Sequence, residues 1–206
     1  MTIATPQWLQ GRRALVAGNA PGAEAIAAAL ARHGAAVVRA GTAATDAPEI
    51  AAAFAAAEQS ADGGIDILIH AGTPMAAAAP QDIGLAAWRA THSADIDGRF
   101  LHAAEFTRRR LATAGRGAIL FLMPSPVIAP GRAAPATAHG ALDNLVKSLA
   151  VEWARDGIRI NAIASHVAEN FAGAAQAEQE SLANLAAYLV SDYAAYVTGC
   201  VMGISE

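Results

Sequence analysis

The chain has 206 residues, 54% of them hydrophobic, and a formal net charge of −4; that length suits one domain, residues 1–206, able to bury about 70% of its unfolded surface without disulfides or metal. Basic residues are scattered except for Arg108, Arg109 and Arg110, which leaves no footprint for nucleic acid or an anionic lipid surface; those three are expected as a solvated helix end. No apolar run approaches the roughly 20 residues of a membrane helix, residues 1–13 lack a basic stretch followed by an apolar one, and the single cysteine, Cys200, suits a reducing compartment, so a cytoplasmic protein with Cys200 as a small buried residue is expected.

Along the chain, short apolar runs alternate with longer alanine-rich amphipathic stretches. Strands are predicted at Ala14–Ala17, Ala36–Arg39, Ile65–Ile69, Ala118–Leu122, Arg159–Ile163 and near Cys200–Met202. Helices are predicted at Ala23–Arg32, Pro48–Ser60, Leu85–Leu111 with a bend, Thr137–Arg155 and Glu178–Val190. Runs such as Ile67-Leu68-Ile69 and Ile119-Leu120-Phe121 are too short and too closely bounded by Gly or Asp for helices, so the alanine content does not signal a bundle. The alternation gives an α/β fold with a doubly wound, mainly parallel sheet covered on both faces. Between the fourth predicted strand and the helix after it, Pro124, Pro126, Pro130 and Pro135 remove backbone donors and exclude regular helix over Met123–Pro135. Ligands of such sheets sit at the carboxyl ends of the strands, so this loop is either an altered site wall or a plug.

Several segments, in order, carry a family resemblance. They are Leu9 through Gly18; Asp66-Ile67-Leu68-Ile69-His70-Ala71-Gly72; Trp88 through Gly98 and Phe100; Lys147 through Trp153 followed by Gly157 through Ile163; and Tyr196-Val197-Thr198-Gly199. Together they resemble the short-chain dehydrogenases/reductases, which implies a Rossmann-like fold. The resemblance also marks where this chain is shortened. From Gly41 to the helix near Pro48 there is no room for the family's next helix and edge strand. Between Val167 and Glu178 there is no room for its helical substrate lid.

The family's chemistry needs a tyrosine followed four residues later by a lysine. The only lysine here is Lys147, with Asp143 four positions before it, and Tyr188, Tyr193 and Tyr196 all lie downstream. The resemblance puts the tyrosine position at Pro135, the lysine position at His139, the serine near Leu122 or Met123 with Ser125 out of register, and the helix asparagine at Asp95. A proton relay without its phenol loses its acid or base, so no catalytic residue is expected.

The cofactor side of the resemblance departs as well. Gly18 and Gly22 remain of the phosphate-binding turn, but Glu24 replaces the third glycine and is expected to oppose the phosphates, at about 4 kcal/mol per charge pair at 4 Å, and to compete for the helix dipole. Gly41 stands where an acidic or basic residue would hold the ribose end. No cofactor is expected, and the two glycines are read as serving turn and helix packing. The histidines lack metal-ligand spacing, so no metal is expected.

The surviving asset is the pair of long helices, which the resemblance makes assembly surfaces through Trp88, Phe100, Leu149 and Trp153; the opposing reading is that these residues only build the core. The leading expectation is a non-catalytic subunit that pairs with a catalytically intact homologue, or with itself. The resemblance suggests an NAD(P)-dependent partner such as a hydroxyacyl-CoA dehydrogenase. The alternatives are a cofactor-independent lyase or isomerase using Asp95 and His139, and a small-ligand binding module.

Overall fold

All six predicted strands form, and all pair in parallel. The computed structural model describes residues 7–41, 44–75, 77–125, 129–169 and 171–204. The strands are β1 (Arg13–Ala17), β2 (Ala36–Ala40), β3 (Ile67–His70), β4 (Gly117–Met123), β5 (Ile158–Ser165) and β6 (Val201–Ile204), in the sheet order β2-β1-β3-β4-β5-β6. Strand order reverses between β1 and β3, the switch point where such sheets open a crevice at their carboxyl edge. β2 is an outer edge of the sheet, as the short connection after Gly41 implies.

Alternation along the strands sorts the side chains into two cores. Ala14, Val16, Ile67, Ile69, Leu120 and Leu122 face one side, where they meet α1 (Ala23–Arg32) and, further along the chain, the helix Gln176–Val190. Leu15, Leu68, Ile119, Phe121 and Met123 face the other, against α2 (Ala47–Ser60) and the long helical arm that follows β3. That arm is α3 (Leu85–His92), a π-helical turn at Ser93–Asp97, and α4 (Gly98–Ala112). The predicted bend therefore falls in a wide turn that carries Asp95. Phe54 on α2 and Phe106 on α4 are fully buried in this core, worth about 1.5–3 kcal/mol each.

After β4 comes α5 (Ala133–Trp153), then α6 (His166–Glu169), a single 3-10 turn at Phe171–Gly173, α7 (Gln176–Val190) and β6. The stretch where the resemblance marks the lid holds α6, that turn and the start of α7. Asp46 caps α2 by accepting from the Glu49 amide at 3.3 Å, with Pro48 in the first turn.

Four expectations are corrected here. Pro135 lies inside α5, in its first turn, where the missing N–H costs nothing because helix starts have no intrahelical acceptor for it; Pro126 lies outside the described residues. Cys200 is exposed. Of the three arginines only Arg108 is largely solvated: Arg109 joins Glu58 and Glu105, reaches the Ala51 carbonyl at 3.0 Å and lies over the Phe54 ring, and Arg110 reaches Asp66 at 3.3 Å. Leu149 is buried within the chain's own core, and Trp153 is half-buried against it. Phe100 is exposed, and Trp88 stands half-buried against the His92 ring.

Candidate functional site

The β1–α1 turn is built for close approach. Gly18 has φ +89°, and a Cβ there would come within 2.6 Å of the Gly72 oxygen and 2.8 Å of its nitrogen. The Asn19 and Ala20 amides donate to that same oxygen at 3.0 and 3.2 Å, tying the turn to the end of β3. At Gly22 a Cβ would touch Phe171 and Leu182 at 3.4 and 3.5 Å, so this glycine serves helix packing too. No side chain caps the start of α1, which leaves its positive end to an anion or water.

Glu24 sits in that first turn, with its carboxylate drawn aside to Arg39, 3.0 Å away. Arg39, in β2, also donates to the Val16 carbonyl at 2.8 Å and the Gly18 carbonyl at 3.1 Å. The expected opposition by Glu24 is therefore met by a local cation. Arg39 closes the predicted strand Ala36–Arg39, two residues before Gly41, the position the resemblance marks for the ribose end, and a basic residue at the end of that apolar run is the signal for it.

At the next crevice wall, Asp95 and Arg99 are each 1% exposed. Their side chains form an ion pair one helical turn apart, and the Arg99 guanidinium also donates to the Leu122 carbonyl and, at 3.2 Å, to the Asp95 carbonyl. It crosses directly over Gly72, which has φ +76° and no room for a side chain beside it. Met123 is buried at the end of β4, and Pro135 is buried in α5. His139 bonds through Nδ1 to the Pro124 carbonyl at 3.0 Å. Asp95 is thus committed to Arg99 and His139 to the end of β4, so the two do not form the oriented acid–base pair that a lyase or isomerase would use. Ser125 is buried beside Arg132, whose guanidinium reaches its carbonyl at 3.5 Å.

Arg99 was missed in the sequence because an arginine after the helix glycine reads as surface charge. A second buried polar group lies behind it. His70 ends β3 with its Nδ1 accepting from the Gly72 amide at 3.1 Å, and its ring meets His102 edge-on at 4.7 Å. His102 donates from Nδ1 to the Gly98 carbonyl at 2.7 Å. Burial, then the charge of Arg99 and then His102, push the His70 pKa well below the usual imidazole value. Burial also lowers that of His102, against the opposing pull of its bond to Gly98 and the charge of Glu49.

Between these walls lies a cavity of about 400 Å³, lined by Ala20 and Pro21 of the β1–α1 turn, Thr73 and Met75 after β3, Asp95, Arg99, Met123, Arg132 and His166. No tyrosine is among the described residues that line it. Tyr188 and Tyr193 pack edge-on against Trp8, and Tyr196 is fully exposed.

Comparison with known proteins defines the class. A family model described as enoyl-(acyl carrier protein) reductase matches residues 10–176. The chain is 33% identical over 220 aligned positions to cis-4-hydroxycyclohexanecarboxylate dehydrogenase of Sinomonas cyclohexanicum, covering 95% of this chain and 86% of the relative. Gluconate 5-dehydrogenase of Gluconobacter oxydans is 30% identical, over 76% of this chain and 71% of that one. Among solved structures, a protein from Sinorhizobium meliloti 1021 described as a short-chain alcohol dehydrogenase superposes with a TM-score of 0.81 at 26% identity, covering 96% of both chains. A gluconate 5-dehydrogenase from Burkholderia cenocepacia in complex with NADP and tartrate shares the fold, with a TM-score of 0.80 at 22% identity over 96% of this chain and 94% of that one. The chain belongs to the short-chain dehydrogenase/reductase family and has the fold of its oxidoreductases.

This corrects the expectation that no cofactor is involved. The relatives are dehydrogenases of an NAD(P)-dependent family, and a structural neighbour holds NADP. The β1–α1 turn fits such a group. Its helix start is free of a side-chain cap, and the Glu24 charge is held by Arg39, while Gly18 lets the turn close against the Gly72 backbone.

Proposed function

We propose that this chain is a short-chain dehydrogenase/reductase subunit that keeps the nucleotide-binding turn but not the family's proton relay, and that it acts by assembling with a catalytically intact homologue. One observation carries the reading. Pro135, at the position of the family's phenol, is buried in the first turn of α5, while the Asp95–Arg99 pair and the Leu122 carbonyl it engages occupy the end of the neighbouring strands. A side chain that donates or removes the substrate proton is a requirement of hydride transfer to or from an alcohol. His139, a turn further along, is tied to the Pro124 carbonyl and does not replace it.

In this reading Gly18, Gly22 and the start of α1 would hold a dinucleotide's phosphates, with Arg39 towards the ribose end. A bound NAD(P) supplies hydride chemistry in the family; this chain's own residues supply binding and orientation. The outer faces of α4 and α5 support assembly, since Phe100, Leu111 and Val151 stand exposed there at a cost that a partner surface would relieve. The relatives named above act on ring or chain alcohols, and none is named for an acyl-CoA. These names support a partner that interconverts a secondary alcohol and a ketone.

The test is purification from the native cells at low salt, followed by native mass spectrometry. A stoichiometric, full-length dehydrogenase in the same particle is the expected result. A particle made of this chain alone would contradict the subunit reading.

A further inference from the structure

A second cavity, of about 340 Å³, lies at the amino edge of the sheet, at the opposite ends of the strands from the crevice. Arg12 stands just before β1, Asp66 just before β3, Arg116 just before β4, Arg159 is the second residue of β5, and Asp192 follows α7. The lining therefore sets three guanidinium groups against two carboxylates.

Both carboxylates are already engaged. Asp66 accepts from the Arg13 amide at 3.0 Å and meets Arg110 at 3.3 Å. Asp192 meets Arg12 at 2.6 Å, but its side chain is largely exposed, and a surface pair of this kind contributes little, so Arg12 is easily drawn to a stronger anion. Arg159 has a structural task. Its guanidinium donates to the carbonyls of Leu189 at 2.9 Å, Ser191 at 3.0 Å and Val197 at 3.2 Å, which ties β5 to the end of α7 and the turn before β6. None of those acceptors carries a charge. Burial pushes the Arg159 pKa below its usual value; Asp192 pulls it back, and the charges of Arg116 and Arg12 push it down again. Arg116 is exposed and forms no ion pair among the described residues; its stem runs beside Gly157, where a Cβ would stand 3.0 Å from the Arg116 Cγ. Like charges that converge on one space repel. The tie made by Arg159 needs neither Arg12 nor Arg116, so the convergence is left for an anion to offset.

We propose that this cavity binds a small phosphate monoester, its phosphate held by Arg116, Arg159 and Arg12 and its organic part set against Ala118, Val190 and Ala195. The site is separate from the β1–α1 turn and requires no partner subunit. Arginine forks match phosphate oxygens two at a time. A phosphate monoester brings a charge of about −1.5 to −2 and three acceptor oxygens at neutral pH, where a monocarboxylate brings one charge. Pockets of about 300–1,000 Å³ take whole small molecules, which leaves room beyond the phosphate for an organic group.

The test is calorimetric titration of the full chain with phenyl phosphate, inorganic phosphate and phenol, at a fixed ionic strength because exposed charges are screened by salt. The expected result is saturable 1:1 binding of phenyl phosphate, at least about fivefold tighter than inorganic phosphate through the apolar wall, and no saturable binding of phenol. Arg116→Gln, at an exposed position, is expected to keep the fold and to weaken both phosphates by about tenfold; Arg12→Gln is expected to act in the same direction. Excess NADP, added first, is expected to leave the affinity unchanged, which keeps the β1–α1 turn out of the reading. No saturable binding of either phosphate, an affinity untouched by Arg116→Gln, or displacement by NADP would overturn the proposal. Inorganic phosphate binding as tightly as phenyl phosphate would overturn the assignment to a monoester and make the free ion the ligand. The subunit reading stands or falls separately on the native mass.

Discussion

Two walls of one crevice have diverged in opposite directions. The β1–α1 turn has a glycine at φ +89° against the Gly72 backbone, an uncapped helix start, and a Glu24 carboxylate paired with Arg39. The β4–α5 wall differs from the family's pattern in its side chains. The positions the resemblance marks there hold Met123, Pro135 and His139, and the Asp95–Arg99 pair ties α4 to the Leu122 carbonyl. In the proposed reading, backbone-made binding tolerates changed side chains, whereas side-chain-made chemistry does not.

The largest effect is expected from breaking the second wall. Asp95→Leu leaves Arg99 buried without its counter-charge and should cost about 3–5 kcal/mol, read from the urea midpoint; adding Arg99→Met should restore most of that stability. A double variant as unstable as the single one would mean that the pair is not acting as a unit. On the first wall, Gly18→Ala should cost about 2–3 kcal/mol through a positive φ and a backbone collision and should abolish NADP binding measured by fluorescence titration.

A smaller effect comes with acid. His70 and His102 have folded pKa values below the unfolded value of about 6.5, so below that pH the unfolded chain takes up protons that the folded chain refuses. Stability should be level above about pH 6.5 and fall as pH drops beneath it, by at most about 1.4 kcal/mol per pH unit for each histidine. Urea midpoints from pH 7.5 to 5.5 read this, and His70→Phe should flatten the slope. The smallest effect is expected at Glu24→Gln. Glu24 is largely exposed, so stability should change by under about 0.5 kcal/mol, while NADP affinity should rise as Arg39 is released, both measurable by melting with and without the nucleotide.

The fold was legible because short Val/Ile/Leu runs bounded by Gly and Asp can hardly be anything but buried parallel strands, and α1 was bounded to the residue. Pro135 was misplaced because a proline in a helix's first turn is invisible to a rule that treats it as a breaker. The residues at the positions the resemblance marks, Asp95, Met123, Pro135 and His139, are read from the sequence without geometry. What surrounds them is not. Arg99 and His70 are buried polar residues satisfied, or left unsatisfied, by backbone atoms of strands far away in sequence, and Glu24 acquires its partner from the next strand. Likewise, Leu149 and Trp153 carry family-like identities whether they face a partner or the core, and only packing separates the two.

The most direct measurement is hydride transfer by the purified chain alone, with NAD⁺ or NADP⁺ in excess and cis-4-hydroxycyclohexanecarboxylate or gluconate as substrate, followed by nicotinamide absorbance. A chain that binds nucleotide but whose reaction wall has been replaced should give no turnover above background. Steady turnover proportional to the amount of chain would contradict the account, because some group other than Pro135 or His139 would then be moving the proton.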